Sequence, residues 1–526
     1  MIATVRVAPV GEPTDRIHQE VFDMRSFKAI VMGSAAFACM GVLSETAQAS
    51  SYAFGAGATF PQIAYRQLFD CLYSQAPGSP GKPGPFAKAA KCLQFNGSGM
   101  GGEILYAATG SGNGKLVLRT NDKGQIGTPS ASAPPYTDST IGVNATTDYY
   151  GVQFAGSDDV INAADVSAWN AAGNPAKFGI LVQLPSLVGP VGIGFNGKDG
   201  NGNPLNILGA TPAGGSSGLN LSRNAVCGIF SGHITQWNNP ILTALNNNAA
   251  LGTGNITVVH RADGSGTSFL LSNALATQCQ FEIGPNSETD ATTVSYAMPW
   301  TDRAQACPRP VAHGANQLNW PDQFPTDQCG VAVSNSGGGH FANASGSGSL
   351  VALVGSTNGA IGYASADFWL PVKTGGLPAA NVQSQWDLTA STGQFQPPTA
   401  QAAFTAMSSA VPQFTDATRI NPLSWSLQGV VPNPVLPGSY PISGFTWLEM
   451  YQCYANHANG NNPYLWFRTF LDYLYGSTEA HDILNDNGFA TTPTAWTIEA
   501  YKLLTDPTYG PAQSGIGGCA TIAGAY

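Results

Sequence analysis

Apolar and polar positions along the chain repeat one three-part unit: a short apolar run, a Gly-rich turn and a helix-spaced stretch. Residues 52–60 (YAFGAGATF) read as a strand entering such a turn, after which Ile63, Tyr65, Leu68, Phe69 and Leu72 fall on one helical face. Residues 93–95 read as a strand, 96–102 (NGSGMGG) as a turn and 103–108 as a helix. Residues 149–154 read as a strand ending at Ala155-Gly156-Ser157-Asp158. Residues 256–260 (ITVVH) read as another, followed at once by Arg261-Ala262-Asp263-Gly264-Ser265-Gly266-Thr267 and a helix over 268–277. This recurrence is the grammar of an α/β fold with mostly parallel sheets. Residues 181–185 and 191–195 read as a buried strand pair, 197–220 as a Gly/Asn-rich loop and 221–230 as a helix that Ser222 caps. Residues 360–363 read as a strand, and 371–440 are Pro- and Gln-rich with little periodicity. The C-terminal part reads as helices over 467–474, 477–486 and 494–504.

Length changes this picture first. The 526 residues exceed one ordinary compact core, so two or more lobes are expected. Near the N-terminus, Arg25 and Lys28 precede an apolar run from 29 to 43, and Ala47-Gln48-Ala49 forms an A-x-A cleavage pattern. Residues 1–49 therefore read as a secretory signal peptide, with 1–23, which carry four acidic residues ahead of the basic pair, as an extension before a start at Met24. The apolar run is shorter than the roughly 20 residues a membrane span needs. Of nine Cys, Cys39 lies in the signal and eight remain, an even count that suggests four disulfides in an exported chain. Eight Cys allow 105 pairings; neighbour pairing (71–92, 227–279, 307–329, 453–519) is the simplest. No C-x-x-C or H-E-x-x-H occurs, so no metal site is expected. The net charge of -10 argues against a nucleic-acid binder.

The turns carry the candidate chemistry. Helix N-termini expose unpaired N–H groups and a partial positive charge, so they attract anions. In open α/β sheets, ligands lie beyond the carboxyl ends of the strands, where such turns converge. The turns offer the hydroxyls of Thr59, Ser98, Ser265 and Thr267, and Arg261 adds a fork of donors suited to a tetrahedral oxyanion. Asp158 is the discriminating group. A carboxylate repels a fully ionised ligand but accepts a hydrogen bond from one that still bears a proton, which separates phosphate from sulfate. Asp263 reads as the partner that holds Arg261.

In order along the chain, these turns resemble those of the phosphate-binding proteins of phosphate ABC importers, the PstS family with its DING-type branch. Residues 55–61 (GAGATFP) resemble the family's first loop and 97–102 (GSGMGG) its G-S-G-G turn. Residues 154–158 (FAGSD) resemble the F-G-A-S-D strand end with Gly and Ala exchanged, and 261–267 (RADGSGT) match the most diagnostic loop without departure. Residues 222–240 resemble the helix and I-x-x-W-x-x-P segment, and 359–363 (GAIGY) the strand near the second crossover. The resemblance implies a two-lobed periplasmic-binding-protein fold of type II, each lobe a mostly parallel sheet flanked by helices, joined by hinge strands. It implies lobe one over 50–185 and 357–526, with an insertion at 371–440, and lobe two over 186–356. It places Thr59, Phe60, Ser98 and Asp158 against phosphate from lobe one, and Arg261, Asp263, Ser265, Gly266 and Thr267 from lobe two. The implied protein is a periplasmic or secreted monomer that captures inorganic phosphate without a cofactor, with an ABC importer complex as its partner. Extra material near 103–147, 283–348 and 371–440 departs from the family's usual length.

Other patterns weigh less. Gly97, Gly99 and Gly102 fit a dinucleotide-type spacing, but 109–128 do not read as the second strand that motif needs. Gly214, Ser216 and Gly218 fit a nucleophile elbow, yet lie in a loop without a preceding strand. His260 reads as a packing residue, and Trp300, Trp320 and Trp369 as core or surface anchors rather than a sugar platform. The alternatives to a receptor are a secreted phosphatase of the DING type and a surface interaction protein that kept the fold.

Overall fold

The computed structural model describes residues 51–72, 102–122, 124, 151–279, 320, 340–456 and 463–525. The signal region, residues 96–101 of the 96–102 turn, Cys92, Cys307, Cys329 and Trp300 lie outside them. Eight strands form one sheet in the order β2 (Gly102–Ala108), β1 (Ser51–Gly57), β3 (Phe154–Ser157), β10 (Ser443–Tyr451), β4 (Leu181–Phe195), β8 (Ala360–Ser365), β6 (Thr257–Arg261) and β7 (Phe341–Ala344). β5 (Asn220–Leu221) and β9 (Asn381–Val382) pair separately.

β4 organises the whole. Its residues 181–190 pair antiparallel with β10, and its residues 191–195 pair antiparallel with β8. On one side β1 runs parallel to both β2 and β3, and on the other β6 runs parallel to both β7 and β8. Each half is thus mostly parallel with one antiparallel strand, and one strand continues through both. All 15 residues of β4 are buried, as expected for a strand covered on both faces. The stretch read as a strand pair is therefore one strand, because the Gly-Pro at 189–190 sits where the partner changes from β10 to β8.

Residues 103–108 also depart from the helix expected there: they form β2, in parallel register with β1 from Ser51↔Gly102 to Gly57↔Ala108. Six residues are too few for an amphipathic period to show, and Ile104, Leu105 and Tyr106 suit a buried strand. Of the first helical face, over Gln62–Leu72, Tyr65, Leu68, Phe69 and Leu72 are buried as the spacing predicts, while Ile63 is half-buried. Phe69 meets Phe470 at 4.7 Å and Phe154 stacks on Phe467 at 4.4 Å, so the helix Pro463–Gly476 is pinned on this half by aromatic contacts. Ser222 caps the helix Arg223–Phe230 by accepting from the Ala225 N–H. Residues 371–440, which showed little periodicity, carry short helices at Gln385–Thr389, Ala400–Ser408, Asp416–Arg419 and Pro422–Gly429; Ser384, Thr399, Thr415 and Asn421 cap them. Disulfides join Cys227 to Cys279 and Cys453 to Cys519.

Candidate functional site

Four turns converge at the carboxyl ends of β1, β2, β3 and β6. β1 runs out through Gly57, whose φ is +130° and whose place a Cβ would fill only 2.1 Å from the Gly156 carbonyl oxygen, so glycine is required there. The Ala58 N–H donates to Gly156 O at 2.7 Å, which sets Thr59 and Phe60 at the end of the strand. β2 ends in Thr109-Gly110-Ser111; the Gly110 N–H donates to Gly57 O at 2.7 Å, and Ser111 begins the helix Ser111–Thr120. β3 delivers Asp158. β6 delivers Arg261, and the helix Gly266–Gln278 begins behind its loop, with Ser265 accepting from the Ser268 N–H at 3.3 Å as the cap.

Arg261 is 1% exposed and makes most of its contacts with side chains. Its Nε donates to Asp263 Oδ1 at 2.6 Å, and Nη2 pairs with Asp263 Oδ2. Nη1 donates to Thr59 Oγ1 at 3.3 Å and to Ser347 Oγ at 3.2 Å, and those two hydroxyls lie 2.9 Å apart. Asp263 also accepts the Gly346 N–H at 3.0 Å, which ties the 261–267 loop to the start of the helix Ser347–Ser356. Ser347 is thus a fifth contributor.

Asp158 is 1% exposed. Its Oδ1 accepts from Thr446 Oγ1 of β10 at 2.6 Å, and its N–H donates to Ser111 Oγ at 3.2 Å. Its Oδ2 and the Oγ1 of Thr267 are buried without a hydrogen-bond partner. Burial pushes the Asp158 carboxyl up from 3.8 to about 7, against the Thr446 hydrogen bond and the Arg261 charge, which favour the anion; Asp159 adds to the rise. Behind it Lys115 Nζ donates to Asp159 Oδ2 at 2.5 Å and to Asp165 Oδ2 at 3.0 Å, fixing the loop that carries Asp158.

The two halves touch through this site. The Gly266 N–H donates to Ser111 Oγ at 3.1 Å, and a Cβ on Gly266 would lie 2.5 Å from Asp158 Cβ. Gly110, at φ +90°, faces the Gly264 carbonyl closely enough that a Cβ would come within 2.8 Å of it. Arg261, Thr59, Asp158, Gly266 and Thr267 are therefore brought together with the N-terminal turns of three helices. Phe60 is fully buried against Phe489 at 5.3 Å between ring centres and packs beside them. Ser98 lies outside the described residues. The carboxyl end of β2 holds Gly110-Ser111-Gly112, a second G-S-G that the sequence reading passed over although it directly follows the apolar run 104–108. Thr446 and Ser347 carried no local signal at all: each sits in a segment with no motif.

The other patterns fall into structural roles. Ser216 Oγ accepts the Ala379 N–H at 2.9 Å, and both Ser216 and Ser217 donate to the Ala379 carbonyl. His260 stacks on Trp320 at 5.1 Å, and Trp320 and Trp369 are fully buried. Among the described residues, no group of three or more His, Cys, Asp or Glu is placed to hold a metal ion, and no helix is long and apolar enough to cross a membrane.

Known proteins align with this arrangement. Alkaline phosphatase L of Pseudomonas aeruginosa is 26% identical over 394 residues, covering 74% of this chain and 78% of its own. A phosphate-binding protein from an unknown prokaryotic organism is 27% identical over 404 residues, covering 74% and 85%. The crystal structure of a high affinity periplasmic phosphate-binding protein (PfluDING) bound with phosphate at pH 8.5 superposes with a TM-score of 0.56 at 23% identity, covering 89% of this chain and 98% of that one. The family model described as the PBP superfamily domain matches residues 44–478, and the chain, with its continuous sheet and turns gathered at the strand ends, belongs to that family.

Proposed function

We propose that the protein is an exported receptor that encloses inorganic phosphate between two lobes and presents it for uptake by an ABC importer. The observation that carries this reading is that the turns bearing the buried Arg261 guanidinium also bear two buried oxygens without a hydrogen-bond partner, Asp158 Oδ2 and Thr267 Oγ1. An unsatisfied buried polar group costs about 1–3 kcal/mol, so two in one place favour a ligand that answers both. Phosphate does so: its oxygens accept from Arg261 and from the Thr267 hydroxyl and amide, and its proton goes to Asp158. Sulfate has no proton to give and leaves the carboxylate facing an oxyanion. Thr59, Ser111, Ser265 and Ser347 supply further hydroxyls within this reading, and Asp263 holds the guanidinium in its plane. Phe60 walls the site, and Ser98 is assigned no contact. Strand pairing supports a lobe division within β4, near residue 190, and a return before β10, since β8 bonds to β4 and β6.

The phosphate named in two of the aligned relatives agrees with this ligand. A second reading, phosphoester hydrolysis, rests on the name of the third. The same donors would hold a phosphoester's terminal group. Calorimetric titration with phosphate and sulfate, with p-nitrophenyl phosphate turnover measured on the same preparation, separates the two. Phosphate binding without turnover is expected. Heat for neither anion would refute the receptor, and turnover lost in Asp158→Asn and Arg261→Ala would favour the enzyme.

A further inference from the structure

We propose that Thr446, on the strand that returns the chain to the first half of the sheet, is a specificity-determining positioning residue: it occupies one oxygen of Asp158 so that a ligand proton meets a single acceptor, Oδ2. The inference rests on the phosphate-receptor reading and deepens it.

A carboxylate presents two equivalent oxygens with about four acceptor sites. Here they are not equivalent. Thr446 is fully buried, and its Oγ1 donates to Oδ1 at 2.6 Å while Oδ2 has no protein partner. Thr446 is itself held. Its carbonyl accepts from Ser186 Oγ at 2.9 Å, and Ser186 lies 2.6 Å from the Tyr65 hydroxyl. With the Ser186 hydrogen committed to that carbonyl, Tyr65 is the donor in the second bond. Ser186 is the additional residue of a β-bulge: pairing steps from Thr446↔Leu187 to Trp447↔Pro185. Bulges re-aim side chains and occur next to sites, and this one joins the helix Gln62–Leu72, β4 and β10 behind a single carboxylate.

The consequence is chemical. The Thr446 hydrogen bond favours the Asp158 anion, as does Arg261 from the end of β6. Asp159 in the same loop opposes the anion, and Asp367, Tyr65 of the first helix and Tyr106 of β2 also feel its charge. Without the Thr446 donor, Asp158 keeps its proton at neutral pH. It then donates where it should accept, and sulfate becomes an acceptable ligand.

The test is calorimetric titration of the full chain and of Thr446→Val and Thr446→Ser with phosphate and with sulfate, from about pH 5 to about pH 9. A lost hydrogen bond to a charged group moves the pH midpoint of binding up by about one unit, and at neutral pH the preference for phosphate over sulfate falls roughly tenfold in the Val variant. The Ser variant restores both. An unchanged ratio in Thr446→Val, or an affinity loss of the same factor at every pH, overturns the proposal. If Thr446→Val lacks a native melting transition, Ser186→Ala, which removes the bond to the Thr446 carbonyl and the acceptor of the Tyr65 hydroxyl while keeping the Thr446 side chain, must show the same shift in smaller measure, and Tyr65→Phe, which removes only the Tyr65 bond, must not; no shift in Ser186→Ala overturns it too. Wild-type protein that binds no phosphate sinks the receptor reading and this inference together, whereas wild-type binding with unaltered variants sinks this inference alone.

Discussion

Replacing Asp158 by Asn is expected to stabilise the ligand-free protein at alkaline pH and leave it nearly unchanged in acid. The side chain is 1% exposed, with Oδ1 answered by Thr446 and Oδ2 unanswered. Burial raises its carboxyl from 3.8 to about 7. For an acid held high in the fold, the folded state keeps a proton that the unfolded chain has released. Stability from this group is therefore fully present below about pH 4 and is lost as pH climbs to about 7, after which the loss is complete. The difference between 3.8 and about 7, at about 1.4 kcal/mol for each pH unit, is on the order of 4 kcal/mol. Asn matches the protonated acid in shape and carries no charge at any pH, so it escapes this loss. The measurement is equilibrium urea unfolding of both proteins, disulfides intact and anion-free buffer, at pH 5 and pH 8. The stability gap between Asn and Asp should widen by about 2–3 kcal/mol between those two conditions, since part of the loss has already occurred at pH 5. Parallel pH dependence in the two proteins would refute the claim that the ionised carboxylate is costly where it stands. The same variant should lose preference for phosphate over sulfate, because an amide has no vacant carboxylate oxygen to take a proton.

Arg261→Ala should weaken phosphate binding by about 2–4 kcal/mol by calorimetry, since the guanidinium is desolvated and its removal leaves Asp263 with only the Gly346 N–H and no countercharge. Gly266→Ala places a methyl 2.4 Å from Ser111 Oγ and 2.5 Å from Asp158 Cβ, so the two halves can no longer meet as they do; phosphate affinity should fall at least roughly tenfold while the melting temperature moves little. Replacing both Cys453 and Cys519 by Ser opens a 66-residue loop and should cost about 4 kcal/mol in urea unfolding on the chain-entropy account, with phosphate affinity unchanged because the bond lies away from the site.

Local pattern determined more of this protein than length or composition did. Strand, Gly-rich turn and helix units are written in consecutive residues, so β1, β6, the helix Gln62–Leu72, the Ser222 cap and the 261–267 loop were legible without neighbours. Their chemistry was legible for the same reason: an Arg, a hydroxyl and a helix start within seven residues need no tertiary contact to suggest an anion. Segments whose conformation depends on a partner were not legible. Residues 103–108 are a strand because β1 lies beside them, and 181–195 are one strand because β10 and β8 divide it between them. The tertiary structure alone decided which groups face Asp158. Thr446 reaches it from 288 residues away, and Ser111 meets Gly266 across 155, distances at which no periodicity or spacing carries information. A carboxylate's two oxygens look alike in a sequence; only folding makes one of them occupied and the other available.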